Sequence, residues 1–567
     1  MTHIQRCPPW SLAALLLASL STSALGQTVP DAGSLLKEQE RQRPQLPKPA
    51  PQAVPQAPTQ INKSDLRVTV KAFKITGNSL IAEPDLQTVL APWIGQESGY
   101  AELQEALNAI SEAYRKRGWF ARPQLPAQDI TEGIISINII EGKLGAVHID
   151  DQGKHLRISK DFVGESVTAR QRPGDPLNLD DLERSNSLLN DTPGVAVTTV
   201  LAPGKEAGES DAIVKVQDKP LITAIVQADN QGARSTGENK LTANGTLDNP
   251  FGIGDQIQLN TNASQGSEYA KLGYSLPVGR DGLRMGVSTS HMQYRLIGDL
   301  ASLKSKGDAQ TYGVNGTYPL LRSGTQNINL AAAYDRKNYY NEANAITTSD
   351  KVLDVVILGV SGDQLDGFGA GGMTLWSLNL TGGNVDLSAT ATNEKADRIG
   401  PQSAGNYHKL SYSLARLQRL TDKATLWLSF NGQAAGKNLD SSEKMSLGGP
   451  FGVRAYPVIE GTGDDGWLTT LEARYNILPA LQVSAFYDQG WVRQSHDANY
   501  TGSPLVNTGT LKGAGLAVGW TQAGNFSLKA VWAHRIGDNP FANPLNGKDQ
   551  DGSLDKNRLW LTAVMFF

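Results

Sequence analysis

The chain has 567 residues and a mass of 60.8 kDa, a length that allows about three to five domains. It carries 52 basic and 56 acidic side chains, and the resulting formal charge of -4 excludes a general affinity for nucleic acid. The single cysteine, Cys7, excludes a disulfide framework and a cysteine-based zinc site. Mean hydropathy is -0.32, which argues against a helical membrane protein but not against a membrane β-barrel, because half of each barrel strand faces water.

Residues 1–26 have the pattern of a secretory signal peptide. His3 and Arg6 precede the short apolar run SLAALLLASL, and residues 23–26 provide small side chains for cleavage. The apolar run is too short to span a bilayer. We therefore expect cleavage just before Gln27, which leaves the mature chain without a cysteine.

Two further segments precede the first folded module. Within the segment 27–43, residues 31–42 (DAGSLLKEQERQ) predict a short charged helix with Asp31 as a candidate cap. The next segment, 44–65, is a linker whose residues 44–58 hold six prolines, a composition that favours polyproline geometry and gives these fifteen residues a reach of about 45 Å. A short helix on such a tether would be a movable element, although a disordered N-terminus fits the composition equally well.

Residues 66–144 and 145–219 predict two small α+β modules. In the first, a helix face is followed by basic residues and a glycine that end the helix, and three isoleucines then alternate as a half-buried strand. The helix-face residues are Leu103, Leu107, Ile110 and Tyr114, and the strand residues are Ile135, Ile137 and Ile139. The second module repeats the plan, with a helix over 179–190 and strands over 146–150, 195–201 and 212–216.

From residue 220 to residue 567 helical periodicity almost disappears. Alternating runs recur instead between turns rich in Gly, Asn and Asp. One face of the run that starts at Leu481 is apolar, whereas the other face carries Gln482, Ser484 and Asp488. This alternation fits a membrane barrel whose outer face meets lipid, but a soluble sandwich produces the same pattern.

The end of the chain favours the barrel. Apolar residues occupy every second position of the final run: Leu559, Leu561, Ala563, Met565 and Phe567, the last residue. Such a final strand resembles the assembly signal of Gram-negative outer-membrane barrels. At about 22 residues per strand and connection, the region divides into about sixteen strands, and an even number is expected.

Two motifs in the barrel region carry a family resemblance. Residues 447–466 read LGGPFGVRAYPVIEGTGDDG and residues 486–490 read FYDQG. The first resembles the conserved loop of the two-partner secretion transporters of the ShlB/FhaC/HecB (TpsB) family, and the second resembles the family's F-x-D-x-G motif. The loop motif is Val453, Arg454, Ala455 and Tyr456, in which Ala455 departs from the VRGY or VRGF common in the family. The partner motif is Phe486, Asp488 and Gly490.

This resemblance covers nearly the whole mature chain and implies its architecture. The expected fold is an antiparallel transmembrane β-barrel of about sixteen strands, preceded by two periplasmic POTRA modules and an N-terminal plug helix. In the family the loop folds back into the barrel, and its arginine pairs with the aspartate on the wall. Alternation independently places Asp488 on the lumen side, so we expect Arg454 to pair with Asp488. Phe567 would be the barrel-assembly signal.

The resemblance also implies a function and partners. A transporter in the outer membrane of a Gram-negative bacterium would bind an unfolded, large secreted TpsA-type β-helical exoprotein in the periplasm through its POTRA modules. It would translocate this partner through the lumen without nucleotide hydrolysis. Its other partners would be outer-membrane lipid and, during biogenesis, periplasmic chaperones and the barrel-assembly machinery. No cofactor, metal or nucleic acid is expected. The cargo stays open between an adhesin, a cytolysin, a contact-dependent inhibition toxin and a haem-scavenging protein.

Other classes of protein fit the sequence less well. An assembly factor of the BamA/TamA type has the same plan, but it normally carries three or more POTRA modules and needs no tethered helix. A passive porin or a nutrient receptor lacks POTRA modules, and a receptor has a large plug domain instead. An enzyme is not expected, because residues 367–372 satisfy GxGxxG without the strand before and the helix after that a dinucleotide site needs. His148 and His408 are expected to be ordinary strand residues.

Overall fold

The computed structural model describes residues 29–41 and 67–567, so the predicted signal peptide and the whole of the predicted linker lie outside the described residues. Six α-helices occur in these ranges: α1 (Ala32–Arg41), α2 (Glu83–Leu90), α3 (Tyr100–Arg115), α4 (Lys160–Val167), α5 (Leu179–Asp191) and α6 (Ala391–Ile399). Two short 3-10 turns cover Ala91–Trp93 and Gly298–Leu303. None of the described helices has the length and apolar character that crossing a bilayer requires.

The first module is a small sheet covered by helices. Its strands are β1 (Val68–Thr69), β2 (Ala72–Thr76), β3 (Glu97–Ser98), β4 (Ala121–Gln124) and β5 (Ile134–Glu141). The sheet order is β2-β5-β4, with β2 parallel to β5. The predicted isoleucines of β5 and the predicted apolar face of α3 meet in one buried core. The alternation of β5 and the helical period of α3 therefore each identify residues of the same hydrophobic core.

The second module repeats this arrangement. Its strands are β6 (Lys143–Asp150), β7 (Val195–Pro203) and β8 (Glu209–Asp218), in the order β6-β8-β7. Because β6 begins at Lys143, the expected division after residue 144 falls inside this strand. Backbone hydrogen bonds join the two modules: the N–H of Phe120 donates to the Leu177 carbonyl over 3.1 Å, and that of Leu179 donates to the Gly118 carbonyl over 2.7 Å.

The rest of the chain forms a closed barrel of sixteen strands, as predicted. These strands are β9 (Ile222–Asp229), β10 (Lys240–Asp248), β11 (Gln256–Ser264), β12 (Ser267–Pro277), β13 (Arg284–Arg295), β14 (Lys306–Arg322), β15 (Gln326–Ala343), β16 (Ile346–Asp366), β17 (Gly372–Asp386), β18 (Gly405–Arg419), β19 (Ala424–Ala435), β22 (Asp465–Leu478), β23 (Leu481–Arg493), β24 (Thr508–Gln522), β25 (Phe526–Arg535) and β26 (Asn557–Phe566). Two short strands, β20 (Met445–Ser446) and β21 (Thr462–Gly463), pair outside the barrel sheet. Every barrel pairing is antiparallel, and β26 closes the ring on β9.

Alternation along the strands separates an apolar outer face from a polar lumen. On β19, Leu428 and Phe430 are 49% and 39% exposed, whereas Gln433 is 6% exposed and faces inward. A soluble sandwich would bury its apolar face instead, so this exposure decides between the two readings of the sequence. Residues 367–371 connect β16 to β17, which begins at Gly372, and His148 and His408 lie on β6 and β18.

The second module is fastened to the connections at one end of the barrel. Arg170 donates through Nε and Nη2 to the two carboxylate oxygens of Asp281, each over 2.9 Å. Arg322 forms a second two-pronged contact with Asp191, over 2.6 and 3.0 Å. Bidentate pairs of this kind fix orientation as well as position. The end of the barrel that carries the β12–β13 connection is therefore the end next to the modules.

Candidate functional site

The connection between β19 and β22 folds back into the barrel. It contains residues 447–464 of the predicted loop 447–466, whose last two residues already belong to β22, and the ribbon formed by β20 and β21. The N–H of Gly448 donates to the Glu460 carbonyl over 2.9 Å, and such internal pairing is what a backbone removed from water requires. Three residues of the predicted loop motif have no exposed surface: Val453, Ala455 and Tyr456.

Arg454, the remaining residue of that motif, contacts the barrel wall through its whole side chain. Its Nε donates to Asp488 Oδ2 over 2.8 Å and its Nη2 donates to Asp488 Oδ1 over 2.9 Å. Its Nη1 donates to Glu472 Oε2 over 2.7 Å, and its guanidinium carbon lies 3.3 Å from the centroid of the Phe486 ring. Trp560 Nε1 donates to the Arg454 carbonyl over 2.8 Å. One arginine thus joins the loop to β22, β23 and β26.

The two carboxylates that contact Arg454 are also bonded by neighbouring side chains. Arg474 Nε donates to Glu472 Oε1 over 2.9 Å, and Thr470 Oγ1 donates to Asp488 Oδ1 over 2.9 Å. Each oxygen of the two carboxylates therefore accepts a hydrogen bond, and two guanidinium groups face them. Since Asp488 is 0% exposed and Arg454 is 7% exposed, this pairing is what makes the burial of these charges tolerable.

Two glycines on the inward face of β24 let the loop lie against the wall. A Cβ atom added at Gly513 would lie 2.6 Å from the Cβ of Ala455, and one added at Gly515 would collide with the ring of Phe486. Larger side chains at these positions would push the loop and its aromatic support away. The bare backbone of Gly513 is what accommodates the methyl group of Ala455, the residue that departs from the usual family motif.

Two other predicted residues complete the packing around the loop. A Cβ added at Gly490 would lie 2.8 Å from Leu447 Cδ2, so the glycine makes room for the start of the loop. The ring of Tyr456 lies 4.4 Å from the guanidinium carbon of Arg535, within the range of a cation–π contact. The loop motif and the partner motif are therefore brought together along the same side of the lumen.

Phe567 is not part of this contact. It lies on the outer face, 69% exposed, and its backbone pairs with Ala224 through hydrogen bonds of 2.9 and 3.1 Å. The last residue therefore extends the junction between the final and the first barrel strand.

Sequence reasoning missed Glu472, Trp560 and Gly513. Each lies on the inward side of a strand whose opposite side is apolar, so the alternation alone places all three in the lumen. Their contact with Arg454 or its neighbour depends on the strand register and on barrel closure, neither of which one sequence reveals. Among residues 29–41 and 67–567, His, Cys, Asp and Glu side chains form no group that could hold a metal ion.

Helix α1 also lies in the lumen and is fastened at both ends. Near its start, Asp31 Oδ2 lies 3.1 Å from Lys351 Nζ and accepts from Ser441 Oγ over 2.6 Å. At its end, Arg41 Nη2 donates to the Phe451 carbonyl over 2.9 Å, a contact with the tip of the loop 447–466. The helix therefore bridges the barrel wall, an adjoining connection and the inward-folded loop.

The apolar face of α1 packs against inward-facing side chains of the barrel. This face consists of Ala32, Leu35 and Leu36, and its partners include Met292, Tyr294, Tyr339 and Leu353. As predicted, Asp31 caps the helix, since its Oδ1 accepts from the N–H of Ser34 over 2.9 Å.

A sixteen-stranded outer-membrane barrel with POTRA-type modules and an inward-folded, arginine-anchored loop defines a class of outer-membrane transporter. Residues 208–521, more than half of the chain, match the model of the haemolysin secretion/activation protein ShlB/FhaC/HecB, and residues 68–142 match the POTRA domain of ShlB type. The chain belongs to the ShlB/FhaC/HecB family of two-partner secretion transporters. Its POTRA modules accordingly lie in the periplasm.

Individual relatives agree with this assignment. The chain is 28% identical over 570 residues to the heme/hemopexin transporter protein HuxB of Haemophilus influenzae (strain 86-028NP), a match that covers 97% of this chain and 96% of HuxB. It is 26% identical over 425 residues to the outer membrane transporter CdiB of Dickeya dadantii, covering 73% of this chain and 74% of that protein. The solved structure of CdiB from Escherichia coli has the same fold, with a TM-score of 0.70 at 20% identity and full coverage of both chains. The family match favours a secretion transporter over a barrel-assembly factor.

Proposed function

We propose that the protein binds one unfolded secreted exoprotein in the periplasm and passes it through the barrel lumen to the cell surface without nucleotide hydrolysis. The observation that carries this proposal is the anchoring of the loop 447–466 on the lumen wall by Arg454 and Asp488. A loop fixed in this way shapes a path along the lumen instead of filling it at random. Folding of the exoprotein outside the cell would give transport its direction.

The POTRA modules would bind the exoprotein by adding a strand to a sheet edge. Strand β7 is an edge of the second module's sheet. The side chain of Asn190 caps this edge at Val197, accepting from its N–H over 2.9 Å and donating to its carbonyl over 2.7 Å. The strand continues for six residues beyond this cap, to Pro203. An extended segment of an unfolded polypeptide matches the geometry of such an edge.

Helix α1 would close the lumen at rest and leave it toward the periplasm during transport. The proposed plan along the chain is a signal peptide 1–26, a plug segment 27–43, a tether 44–65, POTRA modules 66–144 and 145–219, and a barrel 220–567. The prolines of the tether favour extended geometry, which would let the helix travel while attached. Phe567 would end the strand that the barrel-assembly machinery recognises.

The cargo would be a large secreted β-helical protein. The similarity to HuxB, a heme/hemopexin transporter protein, extends over 97% of this chain. A haem-scavenging exoprotein is therefore the first of the four cargo classes to test, ahead of an adhesin, a cytolysin and a contact-dependent inhibition toxin.

Replacement of the loop arginine tests the proposal. We expect Arg454→Ala to abolish secretion of the partner exoprotein while the barrel stays in the outer membrane, because the loop loses the guanidinium group that bonds Asp488 and Glu472 on the wall. Secretion is measured as exoprotein in the culture medium, and insertion is measured as the folded barrel in membrane fractions. Arg336→Ala is the matched control, since Arg336 is 53% exposed at its side chain and pairs with Asp354 on the barrel surface. Normal secretion by Arg454→Ala would refute the role of the loop.

A further inference from the structure

Lys37 lies midway between the two anchored ends of α1. Its Nζ is shielded from solvent and has no hydrogen-bond partner among the described residues. A buried ammonium group needs a counter-charge or acceptors, and burial without them is strongly unfavourable. Lys37 therefore disfavours the docked position of the helix, whereas the contacts of Asp31 and Arg41 stabilise it.

The surroundings of Lys37 explain its isolation. Lys337 Nζ lies 3.1 Å from Glu443 Oε1, and Lys409 Nζ lies 2.8 Å from Glu443 Oε2. The charged groups that act on Lys37 are these two lysines and Glu443, so three cations face one carboxylate whose two oxygens are already engaged. Glu40, also on α1, acts on Lys337. Both oxygens of Glu443 are thus engaged by cations of the barrel strands, and Lys37 makes no hydrogen bond to either of them.

We propose that the buried charge of Lys37 weakens the docking of α1 enough for the helix to leave the lumen, and we call Lys37 the release charge for this reason. This inference rests on the proposed plug role of the helix. In the docked state Lys37 loses its hydration and meets Lys337 and Lys409, whereas in the periplasm water solvates it. The penalty therefore exists only when the helix is docked, and it opposes the contacts of Asp31, Arg41 and the apolar face. Departure of the helix leaves the two ion pairs of Glu443 with Lys337 and Lys409 in place, since no atom of the helix takes part in them.

A cysteine pair across the docked interface measures this balance. A Cβ added at Gly33 would lie 2.8 Å from Ser442 Cβ, about 1 Å closer than the two Cβ atoms of a disulfide. After a shift of that size, Gly33→Cys with Ser442→Cys forms a disulfide only when α1 is docked, and every variant is compared in this same background. The pair is introduced together with Cys7→Ser, which removes the chain's own cysteine. We expect Lys37→Met to raise the ratio of docked to undocked helix by at least about tenfold, and to reduce ion conductance in planar bilayers. Unchanged or weaker cross-linking in Lys37→Met would overturn the inference.

A second substitution separates charge repulsion from the apolar gain of methionine. Lys409→Met frees one oxygen of Glu443, so it should increase docking when Lys37 is present and give no gain in the Lys37→Met background. An equal gain in both backgrounds would exclude repulsion as the cause. Arg41→Met is the matched control on the same helix, and it should weaken docking.

The same measurements keep this inference distinct from the proposed function. A cysteine pair that never cross-links in the otherwise wild-type chain would refute the docked helix and hence the plug. Tenfold stronger docking of Lys37→Met without any change in secretion would support the release charge and refute the plug's role in transport.

Discussion

Two elements share the barrel lumen, and they are held there in different ways. The loop 447–466 is part of the barrel connection at both of its ends, and Arg454 meets two carboxylates whose oxygens all accept hydrogen bonds. Helix α1 has an equally buried apolar face, but Lys37 in its middle has no partner among the described residues. Apolar burial is therefore common to both elements, and charge compensation distinguishes them.

Charge compensation explains how one lumen can hold a fixed element and a removable one. A fully paired buried ion cluster is strongly destabilised by the loss of either partner, so it resists displacement. An element with one uncompensated charge gains hydration when it leaves, which offsets part of the packing that it loses. Single substitutions that remove one carboxylate from the contacts of each element test whether the distinction is real.

The largest expected effect follows from Asp488→Asn. This change keeps the shape of the side chain but leaves Arg454 with Glu472 as its only carboxylate, and the loss of a buried partner is expected to destabilise the loop by about 3–5 kcal/mol. The temperature at which the barrel unfolds in detergent should therefore fall. It is measured by gel electrophoresis of heated samples, in which the compact folded barrel and the unfolded chain migrate differently. Asp422→Asn, in the exposed β18–β19 connection, is the control and should behave as wild type. An unaltered transition in Asp488→Asn would mean that the loop is not fixed by this pair.

Asp31→Asn makes the same chemical change on the removable element and should have a smaller effect. Lys351 keeps its contact with Asp440, whose oxygens lie 2.8 and 3.0 Å from Lys351 Nζ, so no buried cation is abandoned. We expect a loss of about 1.5 kcal/mol in docking, seen as weaker Gly33→Cys/Ser442→Cys cross-linking and higher conductance. The heat resistance of the barrel should stay unchanged. If Asp31→Asn lowered the unfolding temperature of the barrel as much as Asp488→Asn does, α1 would be a fixed element like the loop, and the proposed difference between them would be wrong.

The elements that could be predicted from sequence are those with a long, regular pattern. The period of two gave the barrel strands and the inward side of Asp488, and the helical period gave α3 and α5. Helices α2 and α4 were missed, because each has only eight residues and two turns carry too little periodicity. Helix α6 was missed because it is polar around most of its circumference and interrupts a region of strands.

The residues of the candidate site likewise fall into those that a local sequence pattern predicts and those that depend on tertiary packing. Arg454 was recognisable from its motif, and Asp488 from its motif and its alternation. Trp560 reaches the Arg454 carbonyl only because closure of the barrel brings the last strand beside the loop, a relation between residues 106 positions apart. The isolation of Lys37 depends on Glu443 being engaged by Lys337 and Lys409, so it follows from tertiary packing and from no local pattern.

A third set of contacts, the ion pairs between the second POTRA module and the barrel, is partly exposed to solvent. It therefore contributes less stability than the two buried sets in the lumen. Asp281 accepts from Arg170 over 2.9 Å, from Tyr318 over 2.7 Å and from Arg184 over 3.0 Å, and its side chain is 36% exposed. Burial raises the pKa of this carboxyl, but the hydrogen bonds from Arg170, Tyr318 and Arg184 outweigh burial and lower the pKa to about 2. A carboxyl with a lowered pKa stabilises the docked arrangement above its ordinary pKa of about 3.9, and this contribution disappears as the pH falls toward 2.

The smallest expected effect is therefore a loss of module docking confined to acid. The docking can be followed as the distribution of distances between a spin label on α5 and one on the β18–β19 connection. This distribution should stay constant from pH 7 to about pH 4 and become broader between about pH 4 and pH 2. Asp281→Asn should abolish this acid transition and show partial broadening at pH 7, because an amide cannot replace the ionised acceptor of two arginines. Glu165→Gln is the control: Glu165 pairs with Arg280 at the same junction over 2.8 Å, but its side chain is 59% exposed and should add little. If Asp281→Asn keeps the wild-type acid transition, the docking of the module is set by other contacts.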